Sequence, residues 1–516
     1  MSEFLDLVLA QCEQHPDRLA FFNTKGDSIS YGQLRRRSLA LACQLDAMAQ
    51  PAAPVIVYGH KGSAMLTCMF ACMRSGRPYV PVDVSFPDSR IQAILDQLQD
   101  PVALCTEPVE ADGLLAQLPA TVMSPQLEAL WSTEPTEAQQ RALRPVEGDD
   151  GQYVLFTSGS TGKPKGVVQR AQSIDLTSRY FRSLLPEGQG LVCFNRAPFS
   201  FDLSIFDFLM ALPEGHTMFS LEKDVEASLA ATFEALGQAN ITVWVSTPSF
   251  QNMCLADPAF SPQLLPLVEA FVLCGETLHN ATAKLCLERF PQAKLVNMYG
   301  PTETCGAVTD VAITPEMAAD PQPLPVGKAS PFSQIVIVDP ETLDDVPCGQ
   351  RGEILILGDT AASGYYGDPD KTNMAFFPRR NGEGNMARCY RTGDEGFLDA
   401  HGQLHYCGRF DLQLKVNGYR IELGDIEENL NSLPQVAGCC VLPVKRNGMV
   451  TSLCAHVVPA VGIAGDRHLT KALKDLLKDL LPAYMVPRTF KYHDALPVTI
   501  NGKVDRKALE AEGSRG

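Results

Sequence analysis

A run of small hydroxyl residues and glycines followed by lysines is the segment of the sequence best suited to holding a phosphate. Glycine and short hydroxyl side chains let backbone N–H groups surround an anion, and lysine supplies the counter-charge. It is not a Walker loop, because Pro164 stands where that motif needs a metal-binding Ser or Thr. A flexible turn between two strands remains the alternative. The run consists of Thr157, Ser158, Gly159, Ser160, Thr161 and Gly162, with Lys163 and Lys165 behind them.

Apolar segments on both sides of this loop predict the scaffold that must position it. Between Ala53 and Asp83 the pattern indicates a strand, an amphipathic helix and a second strand, which is a βαβ unit. Similar apolar strands recur at PVALC, QYVLFT, ITVWVST, AFVLC and KLVNMYG, with helical or loop stretches between them. The sequence therefore predicts an α/β domain with largely parallel or mixed sheets over residues 1–409.

The pattern changes after the segment GRFDLQLKVNGYRIE. Asp425, followed three residues later by Glu428, is typical of a capping box at the start of a helix, with an apolar stripe from Ile426 to Leu433. Two short apolar strands and a leucine-rich helix follow. We therefore predict a small α+β C-terminal domain of residues 410–516.

The composition restricts partners and compartment. A formal net charge of −17 repels phosphate backbones, so no binding to nucleic acid is expected. We expect no membrane insertion, because no run of about 18 apolar residues occurs. The start of the chain lacks the pattern of a signal peptide, and the 16 cysteines fit reduced, buried thiols. The expected location is the cytoplasm.

Motifs spread along the whole chain identify a family. TSGSTGKPKG closely resembles the signature of the adenylate-forming enzymes, which include acyl-CoA synthetases, luciferases and the adenylation domains of peptide synthetases. NMYGPTE, GEILILGDTAASGYYGDPDKT, YRTGD, GRFDLQLKVNGYRIE and NGKVDRKAL resemble the other core motifs of that family, in the expected order. The resemblance favours phosphate binding by the loop over a plain turn. It implies a large α/β domain joined by a hinge to a mobile C-terminal lid domain, with ATP and Mg²⁺ as cofactors.

The resemblance also implies which residues bind the nucleotide. Thr302 would contact the α-phosphate, Glu303 would bind Mg²⁺, and Lys503 would bridge the substrate carboxylate and the α-phosphate; these three would be catalytic. For Arg409 a surface ion pair stays open as the alternative. The full set for ATP and AMP would be Thr157, Ser158, Gly159, Ser160, Thr161, Gly162, Lys165, Asn297, Tyr299, Asp394, Arg409 and Lys503.

A second conformation is implied as well, in which the C-terminal domain rotates after adenylation and a thioester forms. Asp411 would be the hinge, because a few residues can absorb a large backbone change. Lys415 and Gly418 would line the tunnel for a phosphopantetheine arm.

The substrate is indicated by one aspartate and a set of pocket residues. Asp202 matches the position at which amino-acid-activating members hold the substrate ammonium; as an alternative, it caps the apolar helix that follows it. Cys274 resembles the cysteine of the subfamily that ligates D-alanine to a carrier protein, and makes D-alanine the leading substrate; a small buried core residue is the alternative. The pocket would be formed by Phe206, Val272, Cys274, Met298, Gly306 and Ala307.

The predicted activity is ATP-dependent formation of an aminoacyl-AMP and its transfer to the phosphopantetheine thiol of a separate carrier protein. The chain stops soon after NGKVDRKAL, so we expect a free-standing enzyme. Three alternatives remain: an adenylation enzyme of the nonribosomal-peptide type for another small amino acid, a catalytically silent nucleotide-binding protein, and an acyl-CoA synthetase. Asp202 disfavours the last, since a fatty acid has no cation to pair with it.

Overall fold

The computed structural model describes residues 1–118, 120–159, 163–410, 413–416, 419–446, 449–497 and 504–513. The chain forms two compact units. The first comprises Met1–Val84, Gln97–Phe156 and Gly166–Phe410, and the second comprises Ser85–Asp96, Thr157–Lys165 and Asp411–Gly516. The predicted site residues Ser160, Thr161, Gly162, Asp411, Gly418 and Lys503 lie outside the described residues.

Within the described residues, the largest sheet of the first unit has nine strands. Its central strands are parallel, and antiparallel strands flank them on both sides. In spatial order they are Lys328–Ala329, Thr309–Ala312, Lys294–Tyr299, Ala270–Leu273, Val243–Ser246, Val192–Asn195, Thr217–Ser220, Leu19–Asn23 and Ser28–Ser30.

A second sheet has seven strands in the described part of the chain. The predicted βαβ unit lies at its centre, where Val55–Gly59 and Tyr79–Asp83 pair in parallel. In spatial order the strands are Gly364–Tyr365, Lys165–Arg170, Gly151–Thr157, Tyr79–Asp83, Val55–Gly59, Val102–Cys105 and Thr121–Val122.

Two buried clusters cover opposite faces of the nine-stranded sheet. Alternate residues of the central strands belong to different clusters, as in the pairs Val272 and Phe271 or Val245 and Trp244, because successive side chains of a strand point to opposite faces. The first cluster joins both sheets through Glu3–Gln14, Tyr31–Met48, Ser63–Arg74, Ser124–Trp131, Ala171–Arg182 and Leu203–Ala211. The second cluster packs against Leu229–Gln238, Pro248–Leu255, Asn280–Arg289 and Pro315–Ala319.

A third sheet of the first unit is antiparallel, whereas the sequence pattern predicts sheets that are largely parallel or mixed. Antiparallel neighbours can be joined by a short turn, as between Phe376–Arg380 and Met386–Leu398, and need no crossover helix. Its strands are Ser333–Val338, Gly352–Gly358, Met386–Leu398, Phe376–Arg380 and Leu404–Arg409. The remaining helices of this unit are Glu137–Ala142, Lys223–Glu226 and Pro369–Ala375.

The C-terminal part of the second unit is an α+β assembly. Strands Gln413–Val416 and Tyr419–Glu422 pair in antiparallel fashion, and Val436–Arg446, Met449–Pro459 and Thr489–Tyr492 form a small sheet. The apolar stripe predicted from Ile426 to Leu433 is buried in its core. The helices of the unit are Asp88–Leu95, Leu423–Asn431, Arg467–Leu480 and Arg506–Gly513.

The predicted capping box at Asp425 is wrong. The strand Tyr419–Glu422 runs directly into the helix, which begins at Leu423 and has Glu422 at its N-cap position without a side-chain cap bond. Asp425 lies in the first turn and is 1% exposed. Burial raises its pKa to about 7.

Candidate active site

The predicted pocket residues follow the carboxyl ends of neighbouring parallel strands, the edge at which α/β sheets bind ligands. Cys274 comes directly after the strand Ala270–Leu273, and Met298 lies at the end of the adjacent strand Lys294–Tyr299. Both side chains belong to the cluster on the same face of the sheet as Val272. Because every second side chain of a strand points to the same face of the sheet, side chains that are far apart in sequence come together there.

The structure distinguishes between the two readings of Asp202. The residue stands at the N-cap position of the helix Leu203–Ala211, but its side chain makes no cap bond there. Instead, Asp202 Oδ2 accepts a hydrogen bond from the Thr302 hydroxyl at 2.5 Å. The carboxylate is thus directed toward the turn that carries Glu303, and not toward the helix backbone.

The walls beside Asp202 are closely packed. The buried Phe206 ring stacks on Phe181, with ring centroids 4.3 Å apart. Gly306 has φ +85°, and a Cβ atom there would lie 2.8 Å from Phe206, so only glycine fits. Cys274 Sγ lies 3.6 Å from the Gly306 carbonyl oxygen. Val272, Met298 and Ala307 belong to the same buried cluster as Phe206 and Cys274, which covers one face of the nine-stranded sheet.

A tight turn carries Thr302 and Glu303. A Cβ atom at Gly300 would lie 2.5 Å from the Ala307 Cα, so the turn requires glycine at this position. The turn is held from outside as well, because Gln169 Nε2 donates to the Thr302 carbonyl oxygen at 3.0 Å and Ala362 N donates to that of Glu303 at 2.8 Å. The backbone of both residues is thereby held in place.

Tyr365 is a residue of this site that the sequence reasoning missed. Its hydroxyl donates to Glu303 Oε1 at 2.9 Å. The residue lies in the short strand Gly364–Tyr365, which pairs with the strand that follows the phosphate loop. Its position in the motif GYYGD was the available signal, but the sequence alone does not show which tyrosine points to Glu303.

Glu303 fits a magnesium site of the kind that is completed by a substrate. Among the described residues, no group of three or more His, Cys, Asp or Glu side chains is placed to hold a metal ion. Mg²⁺ keeps several waters and commonly binds through one or two carboxylates together with substrate phosphates. A single carboxylate beside a predicted phosphate contact therefore matches its chemistry.

The predicted nucleotide residues Asp394, Arg409 and Tyr299 form one hydrogen-bonded group. Asp394 Oδ1 accepts from Arg409 Nη1, and Asp394 Oδ2 accepts from the Tyr299 hydroxyl, each at 2.5 Å. Burial and the neighbouring carboxylate of Asp394 hold the pKa of Tyr299 well above its usual value. The Arg409 and Asp394 side chains are only 14% and 6% exposed, so their ion pair is not a surface pair.

Asn297 lies on the same strand as Tyr299. Its Nδ2 donates to the Pro325 carbonyl oxygen at 2.8 Å. Its Oδ1 is buried and has no hydrogen-bond partner among the residues that the structure describes. Such an acceptor is suited to a donor from a ligand.

The described ends of the phosphate loop belong to two neighbouring strands. Thr157 ends the strand Gly151–Thr157, and Lys165 begins the strand Lys165–Arg170. A Cβ atom at Gly159 would lie 2.1 Å from the Lys163 carbonyl oxygen, so the loop closes only with glycine. Within the second unit, Ser158 Oγ donates to the Arg420 carbonyl oxygen at 2.9 Å.

The predicted tunnel residue Lys415 lies in the strand Gln413–Val416, opposite Arg420. Its predicted partner Gly418 is outside the described residues, and so are Asp411 and Lys503. None of the described helices combines the length and the apolarity needed to cross a membrane.

Comparison with known proteins defines the class. The model of the AMP-binding enzyme family matches residues 8–366, and that of the AMP-binding enzyme C-terminal domain matches residues 425–503. The chain belongs to the AMP-binding enzyme family. The predicted family is thus confirmed, and so are the prediction of an adenylate-forming enzyme and the fold class, an α/β N-terminal part with parallel and mixed sheets and a smaller α+β C-terminal part.

The names of similar proteins indicate a narrower class of enzyme than the family does. It is 39% identical over 515 residues to the D-alanine--D-alanyl carrier protein ligase of Bacillus licheniformis, with 99% of each chain covered. It is 37% identical over 514 residues to the enzyme of the same name from Listeria monocytogenes serovar 1/2a, again with 99% of each covered.

Solved structures agree with the fold. An NRPS protein containing adenylation and PCP domains, in its holo form with a vinylsulfonamide inhibitor, is 26% identical and has a TM-score of 0.84, covering 99% of this chain and 84% of that one. The Vibrio cholerae adenylation domain AlmE, in complex with glycyl-adenosine-5'-phosphate, is 22% identical with a TM-score of 0.83, covering 100% and 98%.

Proposed function

We propose that this protein is an ATP-dependent ligase that activates D-alanine as D-alanyl-AMP and transfers the D-alanyl group to the phosphopantetheine thiol of a separate carrier protein. The observation that carries the proposal is the Asp202 carboxylate, which lies against Thr302 and leaves the helix uncapped. A partly buried carboxylate is costly without a cationic partner. An amino acid brings that partner as its ammonium group, whereas a fatty acid does not.

In the first step, an oxygen of the substrate carboxylate attacks the α-phosphorus of ATP, and pyrophosphate leaves. Two anions must meet, so the site has to neutralise charge and hold the reactants in line. We assign the phosphate contacts to Thr302, Lys165 and the loop from Thr157 to Gly162, and the bridging cation to Lys503. Mg²⁺ bound at Glu303 would neutralise phosphate charge.

The nucleoside end is assigned to the group around Asp394. An ionised carboxylate accepts hydrogen bonds from both ribose hydroxyls, and Arg409 with Tyr299 keeps it oriented. The ring of Tyr299, beside Asp394, offers an aromatic face to adenine. Asn297 supplies a buried acceptor on the same strand.

In the second step, the carrier thiol attacks the acyl carbon and AMP leaves. We assign the pantetheine tunnel to Lys415 and Gly418 and the hinge to Asp411. We also place the enzyme in the cytoplasm, where ATP is available; the cysteines described are free, as expected in a reducing compartment.

The size of the substrate side chain follows from the packing. Phe206, Met298 and Cys274 are all buried, and Gly306 admits no side chain. Such walls suit a methyl group better than a large side chain. Discrimination by the packing of one methyl group is worth about 1–3 kcal/mol, so weaker use of L-alanine and glycine is expected.

Amino-acid-dependent ATP–pyrophosphate exchange tests the proposal. Purified protein is assayed with D-alanine, L-alanine, glycine, D-serine and a fatty acid, followed by transfer from D-alanyl-AMP to a holo carrier protein. D-alanine should give the highest kcat/KM. Preference for another amino acid would replace D-alanine and keep the mechanism, exchange with the fatty acid would indicate an acyl-CoA synthetase, and no exchange would indicate a silent nucleotide-binding protein.

A further inference from the structure

The hydrogen bond between Thr302 and Asp202 joins two parts of the site that bind different substrates. Thr302 is 5% exposed, and its hydroxyl donates to Asp202 Oδ2 at 2.5 Å. A hydroxyl group has a single proton to donate. While this proton is directed to Asp202, Thr302 has none to donate to a phosphate oxygen.

The amino-acid substrate itself brings the two acceptors of that proton, Asp202 and an oxygen of the α-phosphate, close together. In an α-amino acid a single carbon separates the ammonium nitrogen from the carboxylate. When the ammonium is bound at Asp202, the carboxylate that attacks the α-phosphorus is therefore close to Thr302 as well. The ammonium is a charged donor with three protons and makes the stronger hydrogen bond, so it competes with the neutral hydroxyl for the carboxylate.

Transfer of the Thr302 proton requires no rearrangement of the backbone. The Thr302 carbonyl oxygen is held by Gln169 at 3.0 Å, and the following turn is closed by the bond from Cys305 N to the same oxygen at 3.3 Å. Rotation about the bond between Cβ and Oγ1 is enough to redirect the proton. The change is thus local to one hydroxyl group.

We propose that the hydroxyl group of Thr302 couples the binding of the two substrates, an inference that rests on the proposed function. Without amino acid its hydroxyl donates to Asp202. Binding of the substrate ammonium to Asp202 releases that proton, which then donates to an oxygen of the α-phosphate. Each substrate therefore strengthens binding of the other by the same factor, because coupling between two binding equilibria is reciprocal.

The experiment measures the dissociation constant of α,β-methylene-ATP with Mg²⁺, without amino acid and with saturating D-alanine. The variants are Thr302→Val, which removes the hydroxyl at nearly constant shape, and Thr302→Ser, which keeps it. Thr304→Val is the matched control, since its hydroxyl is in the same turn but donates to the Pro301 carbonyl oxygen at 3.2 Å. Propionate, which is D-alanine without the ammonium group, is tested on the unmodified protein.

In the unmodified protein and in the Thr302→Ser and Thr304→Val variants, D-alanine should tighten nucleotide binding by about tenfold, within the usual range of such couplings. In Thr302→Val this factor should fall to about 2 or less. In the unmodified protein, propionate should give no tightening of nucleotide binding. Equal factors in Thr302→Val and the unmodified protein, or tightening by propionate, would overturn the inference, as would a factor of one in the unmodified protein. Pyrophosphate exchange in the unmodified protein separates the two proposals, because its absence rejects the proposed function, whereas exchange without coupling rejects only the role of Thr302.

Discussion

Asp394 and Arg409 face each other directly across the paired strands Met386–Leu398 and Leu404–Arg409. One guanidinium nitrogen of Arg409 donates to Asp394, and the other donates to the Thr392 carbonyl oxygen at 3.0 Å. The planar fork of arginine therefore fixes the carboxylate to the backbone of its own strand. Lysine has the same charge but cannot make both contacts in that geometry.

Arg409→Lys is accordingly expected to raise the KM for ATP by about tenfold, the equivalent of about 1.4 kcal/mol. The KM for D-alanine should change little. Steady-state pyrophosphate exchange at varied ATP measures both. Arg351→Lys is the control, because the Arg351 side chain is 64% exposed and its Nη1 lies 3.9 Å from Oε1 of Glu395, a residue of the same sheet as Asp394. An equal effect of the two changes on the KM for ATP would contradict the prediction.

Asp202→Asn should raise the KM for D-alanine by about 100-fold, or about 3 kcal/mol, because the substrate ammonium loses its charged partner. The melting temperature should stay the same, since Asp202 makes no cap bond and asparagine still accepts from Thr302. Exchange kinetics and thermal unfolding of one preparation test both statements. Asp224→Asn removes the same charge from an exposed side chain and should change neither. An unaltered KM in Asp202→Asn would remove Asp202 from the substrate site.

Cys274→Ala should lower the preference for D-alanine over L-alanine, because the thiol fills the space between Gly306 and the strand end. A decrease of about tenfold in the ratio of the two kcat/KM values is expected. Cys286→Ala provides the comparison, since Cys286 is buried in the other cluster of the nine-stranded sheet. If both variants keep the original ratio, Cys274 packs only as a core residue.

The buried side chain of His456 is expected to make the folded protein less stable in acid. It is 3% exposed, its Nδ1 lies 2.9 Å from His493 Nε2, and burial, with His493 and Lys491, lowers its pKa to about 4. A histidine with a lowered pKa stabilises the fold fully above its unfolded pKa of about 6.5, and this stabilisation is lost as the pH falls toward 4. His456→Gln should remove up to about 2 kcal/mol of the difference in stability between pH 6.5 and pH 5.

Thermal unfolding at the two pH values measures this difference. The decrease in melting temperature on acidification should be smaller in His456→Gln than in the unmodified protein. His468→Gln, at an exposed histidine, should behave as the unmodified protein does. Identical pH dependence of all three proteins would show that His456 does not control acid stability.

Lys503→Ala should abolish most of the adenylation activity while leaving transfer from preformed D-alanyl-AMP to the carrier largely intact. The reason is that a cation stabilises the charge that develops between the substrate carboxylate and the α-phosphate, and this charge is absent in the second step. The two half-reactions are assayed separately, with Lys507→Ala as the neighbouring lysine control. Equal loss in both half-reactions would contradict the assigned role.

The sequence was sufficient for features that depend on local pattern or on a motif. The βαβ unit around Val55–Gly59, the buried stripe of the helix Leu423–Asn431 and the family itself were all predicted correctly. Contacts between distant segments were not predictable in this way. The bond between Thr302 and Asp202 joins residues 100 positions apart, and the choice of Tyr365 as the partner of Glu303 depends on how two sheets pack.

The start of the helix Leu423–Asn431 shows a further limit. Asp425 and Glu428 match the capping pattern, yet the preceding strand already places Leu423 in the helix. Tertiary pairing of Tyr419–Glu422 with Gln413–Val416 decided the boundary. Local propensity therefore located the helix but not its first residue.

The division of the pocket between two kinds of element has a consequence for how such enzymes diverge. Asp202, the proposed acceptor for the substrate ammonium, precedes the helix Leu203–Ala211, whereas Cys274 and Met298, which we propose to lie beside the substrate side chain, are at strand ends. Although Phe206 lies in that helix, the strand-end part of the proposed side-chain pocket is thus encoded on segments separate from the proposed ammonium acceptor. Mutations at the strand ends can therefore retarget the enzyme to a new amino acid while the chemistry common to all amino acids is inherited unchanged.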